Sequence, residues 1–527
     1  MRCVHSLRSR PASGADAGGG LDVRAENAKL PGDCGLARLG TAHQVEGWFD
    51  RTSVAPGEPV RLFSSTTAQT LTVSVFRVGW YDGHGCRLVE HRGPLPGVRQ
   101  PVPGPAPGTN TIATSWRQTT TFATSSWPAG DYLIRLDDAD GWQAYVPLTV
   151  RGPAQPGRIV ILNAVTTWQA YNAWGGYSLY HGPSGQFTDR ARVVSFDRPY
   201  DFGDGAADFT GNEQPLVMLA ERLGLPVRYA TDIDLHADPH LLDGARAVIS
   251  LGHDEYYSRE MRAALTAARD RGVNIAFLGA NAVYRRIRLS ASPTGPNRTQ
   301  AGYKIATEDP LYGVDNSRIT ANWPSPPNAD PESSLTGGMY QCNPAHADMT
   351  VWNPRHWLLA GTGTATGDRI PGMIGPEYDR VDASVPTPGQ IEVLGHSPVT
   401  CRDDPDFADV TYYLHGALRC RCLRRRHQRL GVRPQRRLRS RRPRPGAPGL
   451  HHPGHGEPAP GLRRRHRRAG APGGPRRADR LPREGRRGRT LSAAHAVLLV
   501  PGSAQATSRR RPPAEAQAGR NNQAGLR

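Results

Sequence analysis

Val248-Ile249-Ser250-Leu251-Gly252-His253-Asp254-Glu255-Tyr256-Tyr257-Ser258 is the stretch that decides the fold of this chain. An apolar run ends at a glycine, ionisable side chains follow, and Ser258 is suited to the N-cap of a helix. This order predicts a buried strand that delivers His253 and Glu255 to the sheet edge where α/β proteins bind ligands. The alternative is that both side chains only cap the next helix and hydrogen-bond nearby loops, and spacing alone leaves the two open.

A second strand end of the same kind follows 26 residues later, in Asn274-Ile275-Ala276-Phe277-Leu278-Gly279-Ala280-Asn281. Two neighbouring strand ends would then present a carboxylate, an imidazole and an amide to one cleft. Further apolar strands are predicted at 158–162 and 227–230, with helices between the strands. This alternation predicts a three-layer, doubly wound α/β domain of the glutamine-amidotransferase-like kind over residues 158–413. Residues 285–413 are loop-rich and are expected to wrap the core and cover the cleft.

The region before this domain has a different pattern. Residues 46–150 alternate apolar and polar side chains between recurring turn signals, which is typical of an immunoglobulin-like β-sandwich. Residues 151–157 form a Pro- and Gly-containing linker. Residues 1–45 are predicted to be a disordered leader, because they are rich in Gly, Ala and Arg and lack the apolar core of a signal peptide.

The net charge of +19 is unevenly distributed along the chain. Residues 416–527 contain 30 Arg and 4 acidic residues, a net charge of +26, so residues 1–415 carry the remaining −7. The mildly acidic body argues against specific nucleic-acid binding, and no apolar run reaches the roughly 18 residues of a membrane span. The tail, 414–527, has little apolar periodicity and is predicted to be disordered.

A frameshift just after Tyr413 explains the tail better than a functional basic segment. Back-translated with GC-rich codons and read one base later, residues 414–432 can spell Cys-Thr-Ala-Pro-Ser-Gly-Ala-Gly-Val-Phe-Asp-Ala-Gly-Thr-Asn-Ala-Trp-Val-Cys, which is ordinary globular sequence. Arg accounts for 64 of the 66 basic residues, as a GC-rich coding strand would give.

The chain has seven cysteines, and this number does not decide the cellular compartment of the protein. Cys342 and Cys401 lie in loop-like sequence and could pair if the chain is exported, but spacing alone does not show this. The C-x-C pair Cys420 and Cys422 lies in the frameshifted tail, so its spacing is not interpreted as a metal site. The sequence does not decide between export and the cytoplasm, nor whether the chain forms a homo-oligomer.

An aromatic-rich segment, 167–180, lies between the first apolar strand and the first long helix. Such a cluster suits either carbohydrate stacking or core packing. The chain has no Gly-rich phosphate loop, no G-x-S-x-G elbow and no His-rich zinc motif.

Four segments together resemble the large (β) subunit of N,N-dimethylformamidase. They are Thr167-Trp168-Gln169-Ala170-Tyr171-Asn172, Arg198-Pro199-Tyr200, Gly252-His253-Asp254-Glu255-Tyr256 and Leu278-Gly279-Ala280-Asn281-Ala282-Val283-Tyr284. The resemblance covers roughly residues 157–413, with the sandwich before it, and fits an actinobacterial-type relative whose substrate does not carry over.

The resemblance implies a mononuclear iron held by Tyr171, Tyr200 and Glu255, with His253 and Asn281 as catalytic residues beside it. Ferric iron is a hard cation that favours phenolate and carboxylate oxygens, and it can activate water and polarise an amide carbonyl. His253 is expected to orient or deprotonate the water, and Asn281 to donate to the developing oxyanion.

Two functions from different classes therefore stay open. The first is an iron-dependent amidase that hydrolyses a small linear amide. The second is an exported carbohydrate- or surface-binding protein that keeps the fold without the chemistry. The iron content of the purified protein separates them.

Overall fold

The computed structural model describes residues 21–416, and all structural statements concern that range. Strands predominate over helices within it, and none of its helices has the length and apolar character that a membrane crossing requires. The predicted tail from residue 417 onward, with Cys420, Cys422 and the shifted reading frame, lies outside the described residues.

The N-terminal region forms two sheets from the alternating segments of the sequence. Leu71, Val73 and Val75 point into a shared core and are almost fully buried, which is why this run forms a strand with one apolar face. The strand orders are β1-β3-β6 and β2-β8-β7-β4-β5. The elements are α1 (Val23–Asn27), β1 (Val45–Phe49), β2 (Ser53–Val54), β3 (Pro59–Thr66), β4 (Thr70–Val78), β5 (Cys86–Pro96), β6 (Thr120–Ala123), β7 (Gly130–Asp138) and β8 (Gln143–Val150).

The predicted disordered leader, 1–45, is wrong for residues 21–45. Helix α1 buries Val23, and the Asp22 side chain accepts hydrogen bonds from the first turn of this helix. A disulfide joins Cys34 to Cys86 and ties the leader to β5. The composition of residues 21–45 did not predict that they are ordered. A disulfide and a few buried contacts hold this segment in place, and neither produces an apolar periodicity in the sequence.

The second region is built on a parallel sheet of four strands in the order β11-β9-β12-β14. The strands predicted from apolar runs are all present, and Ser258 caps the helix that follows the decisive stretch. The elements are β9 (Ile159–Asn163), α2 (Val165–Tyr171), β10 (Val193–Ser195), α3 (Glu213–Arg222), β11 (Val227–Thr231), α4 (Asp232–Ala237), β12 (Ala247–Leu251), β13 (Tyr256–Tyr257), α5 (Arg259–Asp270) and β14 (Asn274–Leu278).

Both faces of this sheet are covered by apolar side chains. Ile159 and Ile161 pack with α3 on one face, while Val160 and Leu162 pack with α5 on the other. Alternate residues of a strand point to opposite faces, so a strand buried on both sides is apolar at most of its positions. The parallel direction brings the carboxyl ends of β9, β12 and β14 to one edge.

The third region, predicted to be loop-rich, consists of short strands and one long hairpin. A disulfide between Cys342 and Cys401, the pair that the sequence left open, links β18 to the hairpin. The elements are β15 (Arg285–Arg286), β16 (Arg288–Ser292), β17 (Gly295–Ala301), α6 (Ser333–Thr336), β18 (Met339–Cys342), β19 (Ala347–Thr350), β20 (Arg369–Ile374), β21 (Tyr378–Arg380), β22 (Ile391–Cys401) and β23 (Asp404–Tyr413).

A buried ion pair joins the first two regions. Arg77 on β4 donates from Nη2 to Glu221 Oε1 on α3 at 2.6 Å, and both side chains are fully buried. Removing one partner would leave an unpaired buried charge, which typically costs about 3–5 kcal/mol.

Candidate functional site

Helix α2 brings the first tyrosine to the decisive stretch. The backbone N–H of Glu255 donates to Thr167 Oγ1 at 3.0 Å, which fixes the chain after β12 against α2. Tyr171 lies four residues after Thr167, on the same helix face, and its hydroxyl donates to Glu255 Oε2 at 2.8 Å. Residues from the ends of two adjacent parallel strands therefore meet at one edge.

Tyr180 is the third member of an oxygen cluster. Its hydroxyl lies 2.6 Å from the Tyr171 hydroxyl and 2.9 Å from Glu255 Oε2. The two rings stack with centroids 4.3 Å apart, and Tyr256 donates to the Tyr180 hydroxyl at 2.8 Å. We call Tyr171, Tyr180 and Glu255 the oxygen cluster.

Two cations border the oxygen cluster. Arg285 donates from Nε to Glu255 Oε1 at 3.0 Å, on the carboxylate oxygen that faces away from the phenols. Lys304 Nζ lies 2.9 Å from the centroid of the Tyr180 ring, a cation–π distance. The carboxylate of Glu255 therefore accepts from Arg285 through Oε1 and from the two phenols through Oε2.

His253 lies between two carboxylates. Its Nε2 is 3.4 Å from Glu255 Oε2 and 3.3 Å from Glu377 Oε2, which are ion-pair distances without hydrogen-bond alignment. Among the described residues, neither His253 Nε2 nor Glu377 Oε2 has a hydrogen-bond partner. The His253 side chain is 23% exposed, so the imidazole is at the boundary between this pocket and solvent.

The charges shift the titration of these groups in opposite directions. Burial would raise the pKa of Glu255, but His253 and Arg285 together hold it well below its usual range. Burial would lower the pKa of His253, but Glu255 and Glu377 raise it well above its usual range. Burial and the adjacent Glu255 charge raise the pKa of Tyr171 and Tyr180, so both phenols are protonated when no metal is present.

Asn281 follows β14 at the same sheet edge. Its backbone has a left-handed φ of 60°, and its N–H donates to Asp379 Oδ1 at 2.8 Å. The side-chain oxygen is buried and has no hydrogen-bond partner among the described residues. Such an unsatisfied buried amide is costly unless a ligand or water pairs with it.

Tyr200 is placed apart from the oxygen cluster. Its ring packs edge-on against Trp168 and Phe202, both with centroid distances of 6.3 Å, and it lines a cavity of about 30 Å³ on the side of the sandwich. Asp131 and Arg198 line the same cavity. The structure therefore brings together Tyr171 and Glu255 of the predicted ligand set, with Tyr180 rather than Tyr200 as the second phenol beside them.

Besides the bordering cations Arg285 and Lys304, the sequence analysis missed Tyr180 and Glu377. Tyr180 was one of several aromatics in 167–180, and nothing in its spacing distinguished it from core tyrosines. Glu377 lies just before β21, in the loop-rich region, where no periodicity marks a position. Only the fold of 339–380 over the sheet edge brings this carboxylate to His253.

The donor set suits a hard metal ion. Three oxygens, two phenolic and one carboxylic, lie within 2.9 Å of one another, and such donors favour ferric iron over softer metals. Within residues 21–416, no group of three or more His, Cys, Asp or Glu side chains is placed to hold a metal. A metal centre here therefore depends on the tyrosines.

Comparison with family models gives a match that covers more than half of the chain. A family model described as N,N-dimethylformamidase beta subunit-like, C-terminal, matches residues 72–419, which include the oxygen cluster and most of the sandwich. No curated protein matches the chain. The solved structure of murine CEACAM1b is similar at 10% identity over 23% of this chain and 62% of its own length, but its TM-score of 0.12 is too low to carry an argument.

Proposed function

We propose, from the premise that this chain belongs to the N,N-dimethylformamidase beta subunit-like family, that it is an iron-dependent hydrolase of a small linear amide. The observation that carries the proposal is the convergence of the Tyr171, Tyr180 and Glu255 oxygens at the carboxyl edge of the parallel sheet. Ligands of open α/β sheets bind at this edge.

The oxygen cluster would hold the iron. Iron, when bound, supplies Lewis acidity that polarises the amide carbonyl and lowers the pKa of water. Both phenols must lose their protons to bind it, so metal binding releases protons and strengthens as pH rises. Arg285 keeps one Glu255 oxygen engaged, which orients the other toward the phenols.

His253 and Glu377 would move the protons of the reaction. Amide hydrolysis takes one proton from water and delivers one to the departing amine. His253 Nε2 is within reach of both carboxylates, and Glu377 Oε2 is an acceptor without a partner among the described residues. We assign Glu377 as the proton acceptor and His253 as the group that relays the proton to the leaving nitrogen.

Asn281 would stabilise the charge that develops on the carbonyl oxygen. Its side chain is buried at the same edge with its oxygen unpartnered among the described residues, and its Nδ2 group would be the donor to that charge. A fixed neutral donor aimed at the oxyanion is worth several kcal/mol in comparable sites.

The packing of the aromatic segment favours chemistry over sugar binding. Trp168 and Trp174 are only 2% and 1% exposed, and their indole N–H groups donate to Glu213 and Glu46. Buried indoles cannot serve as a stacking platform, which needs an exposed ring face. The binding alternative was motivated by the sandwich and the aromatic segment, and the two tryptophans of that segment are engaged in core packing.

We also propose the finer fold classes, an immunoglobulin-like sandwich and a doubly wound α/β domain. The two packed sheets of residues 45–150 and the apolar cover on both faces of the parallel sheet support them. The two disulfides support export, because such bonds persist in oxidising compartments.

The test measures metal content and activity together. The protein is purified, its iron is quantified by mass spectrometry, and hydrolysis of formamide, N-methylformamide and N,N-dimethylformamide is followed by amine release. We expect about one iron per chain, loss of activity on chelation and recovery with iron but not with magnesium or calcium. A fully active metal-free protein, or an iron-loaded protein inactive on all small amides, would contradict the proposal.

A further inference from the structure

The residue Arg198 has no role in the function proposed above, yet it makes an unusual set of contacts. Its Nη1 donates to the carbonyl oxygens of Trp174 and Tyr177, both at 2.9 Å, and its Nη2 donates to that of Asn172 at 2.8 Å. All three acceptors lie between Tyr171 and Tyr180 in sequence. One guanidinium therefore holds the whole connection between the two phenols of the oxygen cluster.

The burial of Arg198 shows how specific this arrangement is. The residue is 1% exposed, and within residues 21–416 its guanidinium donates hydrogen bonds to peptide carbonyls only. Burying a cation is costly, and here three peptide carbonyls and the charge of the nearby Asp201 carboxylate offset that cost. The planar fork of arginine can reach several carbonyls at once, which the single ammonium of lysine cannot do equally well.

A second set of hydrogen bonds connects the same two segments. Asn172 Nδ2 donates to Pro199 O at 2.8 Å, and its Oδ1 accepts from the Asp201 backbone at 3.2 Å. Asp201 Oδ1 accepts in turn from the backbone N–H of Ala173 at 3.0 Å. Residues 172–177 and 198–201 are thus linked in both directions.

The connecting segment cannot hold its own shape. Gly175 and Gly176 both have left-handed φ values, 78° and 89°, and the segment forms only one short 3-10 turn. Glycines there give the unfolded chain more freedom, so ordering must come from outside the segment. Arg198 supplies part of that order from the stretch that also carries Tyr200, and Glu46 and Ile112 hold the same segment from the sandwich.

We infer that Arg198 is a positioning residue, which clamps residues 172–177 and thereby sets the placement of the Tyr171 and Tyr180 phenols. The consequence for iron rests on the proposed function, whereas the clamp itself is a property of the metal-free chain. Arg198 acts through the peptide carbonyls and touches neither phenol in doing so.

The experiment uses Arg198→Met and Arg198→Lys, with Arg262→Met as the matched control. Arg262 is also buried and donates to backbone carbonyls, those of Asp330 and Pro331, in a different segment. Hydrogen exchange of the metal-free proteins is read by mass spectrometry over residues 172–180, over 330–334 and over the parallel strands.

We expect Arg198→Met to speed exchange in 172–180 by about 10-fold or more while the parallel strands exchange as in the unaltered protein. Arg198→Lys should give a smaller increase in the same segment, and it is the variant measured if Arg198→Met does not fold. Arg262→Met should loosen 330–334 and leave 172–180 unchanged. Unchanged exchange at 172–180 in both Arg198 variants would overturn the inference.

Iron titration separates this inference from the proposed function. Iron affinity of Arg198→Met should fall about 10–100-fold, with a displaced phenolate-to-iron absorption band, as for supports of other metal ligands. If the unaltered protein binds no iron, the proposed function fails and the exchange data alone decide the clamp. If Arg198→Met loosens 172–180 but keeps normal iron affinity and band, phenol positioning is refuted while the proposed function stands.

Discussion

Tyr180 and Tyr200 are both partly buried tyrosines that follow α2, yet their surroundings differ completely. The Tyr180 hydroxyl meets a second phenol and a carboxylate, whereas the Tyr200 ring lies among aromatic neighbours beside a small cavity. Residue type alone therefore does not decide whether a tyrosine hydroxyl joins the oxygen cluster. What distinguishes the two is whether the backbone directs the oxygen to Glu255.

The largest effect is expected at the carboxylate of the oxygen cluster. Glu255→Gln should remove most bound iron and essentially all amidase activity, because a neutral amide is a poor ligand for a hard trivalent cation. Glu213→Gln is the control, since Glu213 is a buried carboxylate that contacts Trp168 on the Tyr200 side. Iron content by mass spectrometry should fall in Glu255→Gln and not in Glu213→Gln. An equal loss of iron in both variants would show that the surroundings of Tyr180 and Tyr200 do not differ in metal binding.

Single tyrosine replacements test the contrast directly. Tyr171→Phe and Tyr180→Phe should each weaken iron binding by about 100-fold and bleach the phenolate-to-iron absorption, because each removes one ligand oxygen. Tyr200→Phe should leave the band intact. A bleached band in Tyr200→Phe with a normal band in Tyr180→Phe would restore the ligand set expected from the sequence.

Replacing His253 or Glu377 should lower the catalytic rate more than it lowers the iron content. Glu377→Gln and His253→Asn are each expected to lower kcat by about 100- to 10,000-fold while iron content and absorption remain, because neither belongs to the oxygen cluster. Steady-state kinetics beside metal analysis gives the answer. Loss of iron in either variant would place that residue among the ligands.

The smallest effect concerns pH on the cavity side. Burial raises the pKa of Asp131 to about 7, although hydrogen bonds from Thr149 and Asn163 oppose the shift. A carboxyl whose pKa is higher in the folded state contributes stability below its unfolded pKa of about 4 and loses it as pH rises through 7. At pH 8 the buried charge should cost on the order of a few kcal/mol.

Asp131→Asn removes that pH dependence. Thermal unfolding of both proteins between pH 4.5 and 8 should show the variant gaining on the unaltered chain as pH rises, with the change centred between about 4 and 7. Parallel curves across this range would mean that Asp131 is ionised at all these pH values. In that case Asp131 beside the cavity, like Glu255 in the oxygen cluster, would be ionised although it is buried.

The sequence predicted the elements of the parallel sheet well because their signals are local. Apolar runs at 159–163 and 247–251 must be buried on both faces, and Ser258 marks a helix start through its own hydroxyl. Parallel topology then places Tyr171 and Glu255 at one edge without further information. That part of the site followed from periodicity and resemblance together.

The positions of Tyr180 and Glu377 beside the site could not be predicted in this way. Tyr180 lies between α2 and β10, where the clamp of Arg198 and the glycines at 175 and 176 shape the backbone, whereas Tyr200 follows β10. Glu377 reaches His253 through a fold of short strands that carry no strong periodicity. Long-range placement of irregular segments depends on contacts that no local pattern contains.

The indole of Trp174 donates to Glu46, and Ile112 fills the space where a side chain on Gly175 would stand. The wall of the phenol-bearing loop therefore comes partly from the sandwich. The sandwich is therefore not structurally independent of the region that carries the oxygen cluster. In a gene fusion or a recombination event, the whole sandwich, residues 45–150, would have to stay with residues 158–413 for the descendant to keep a site of this shape.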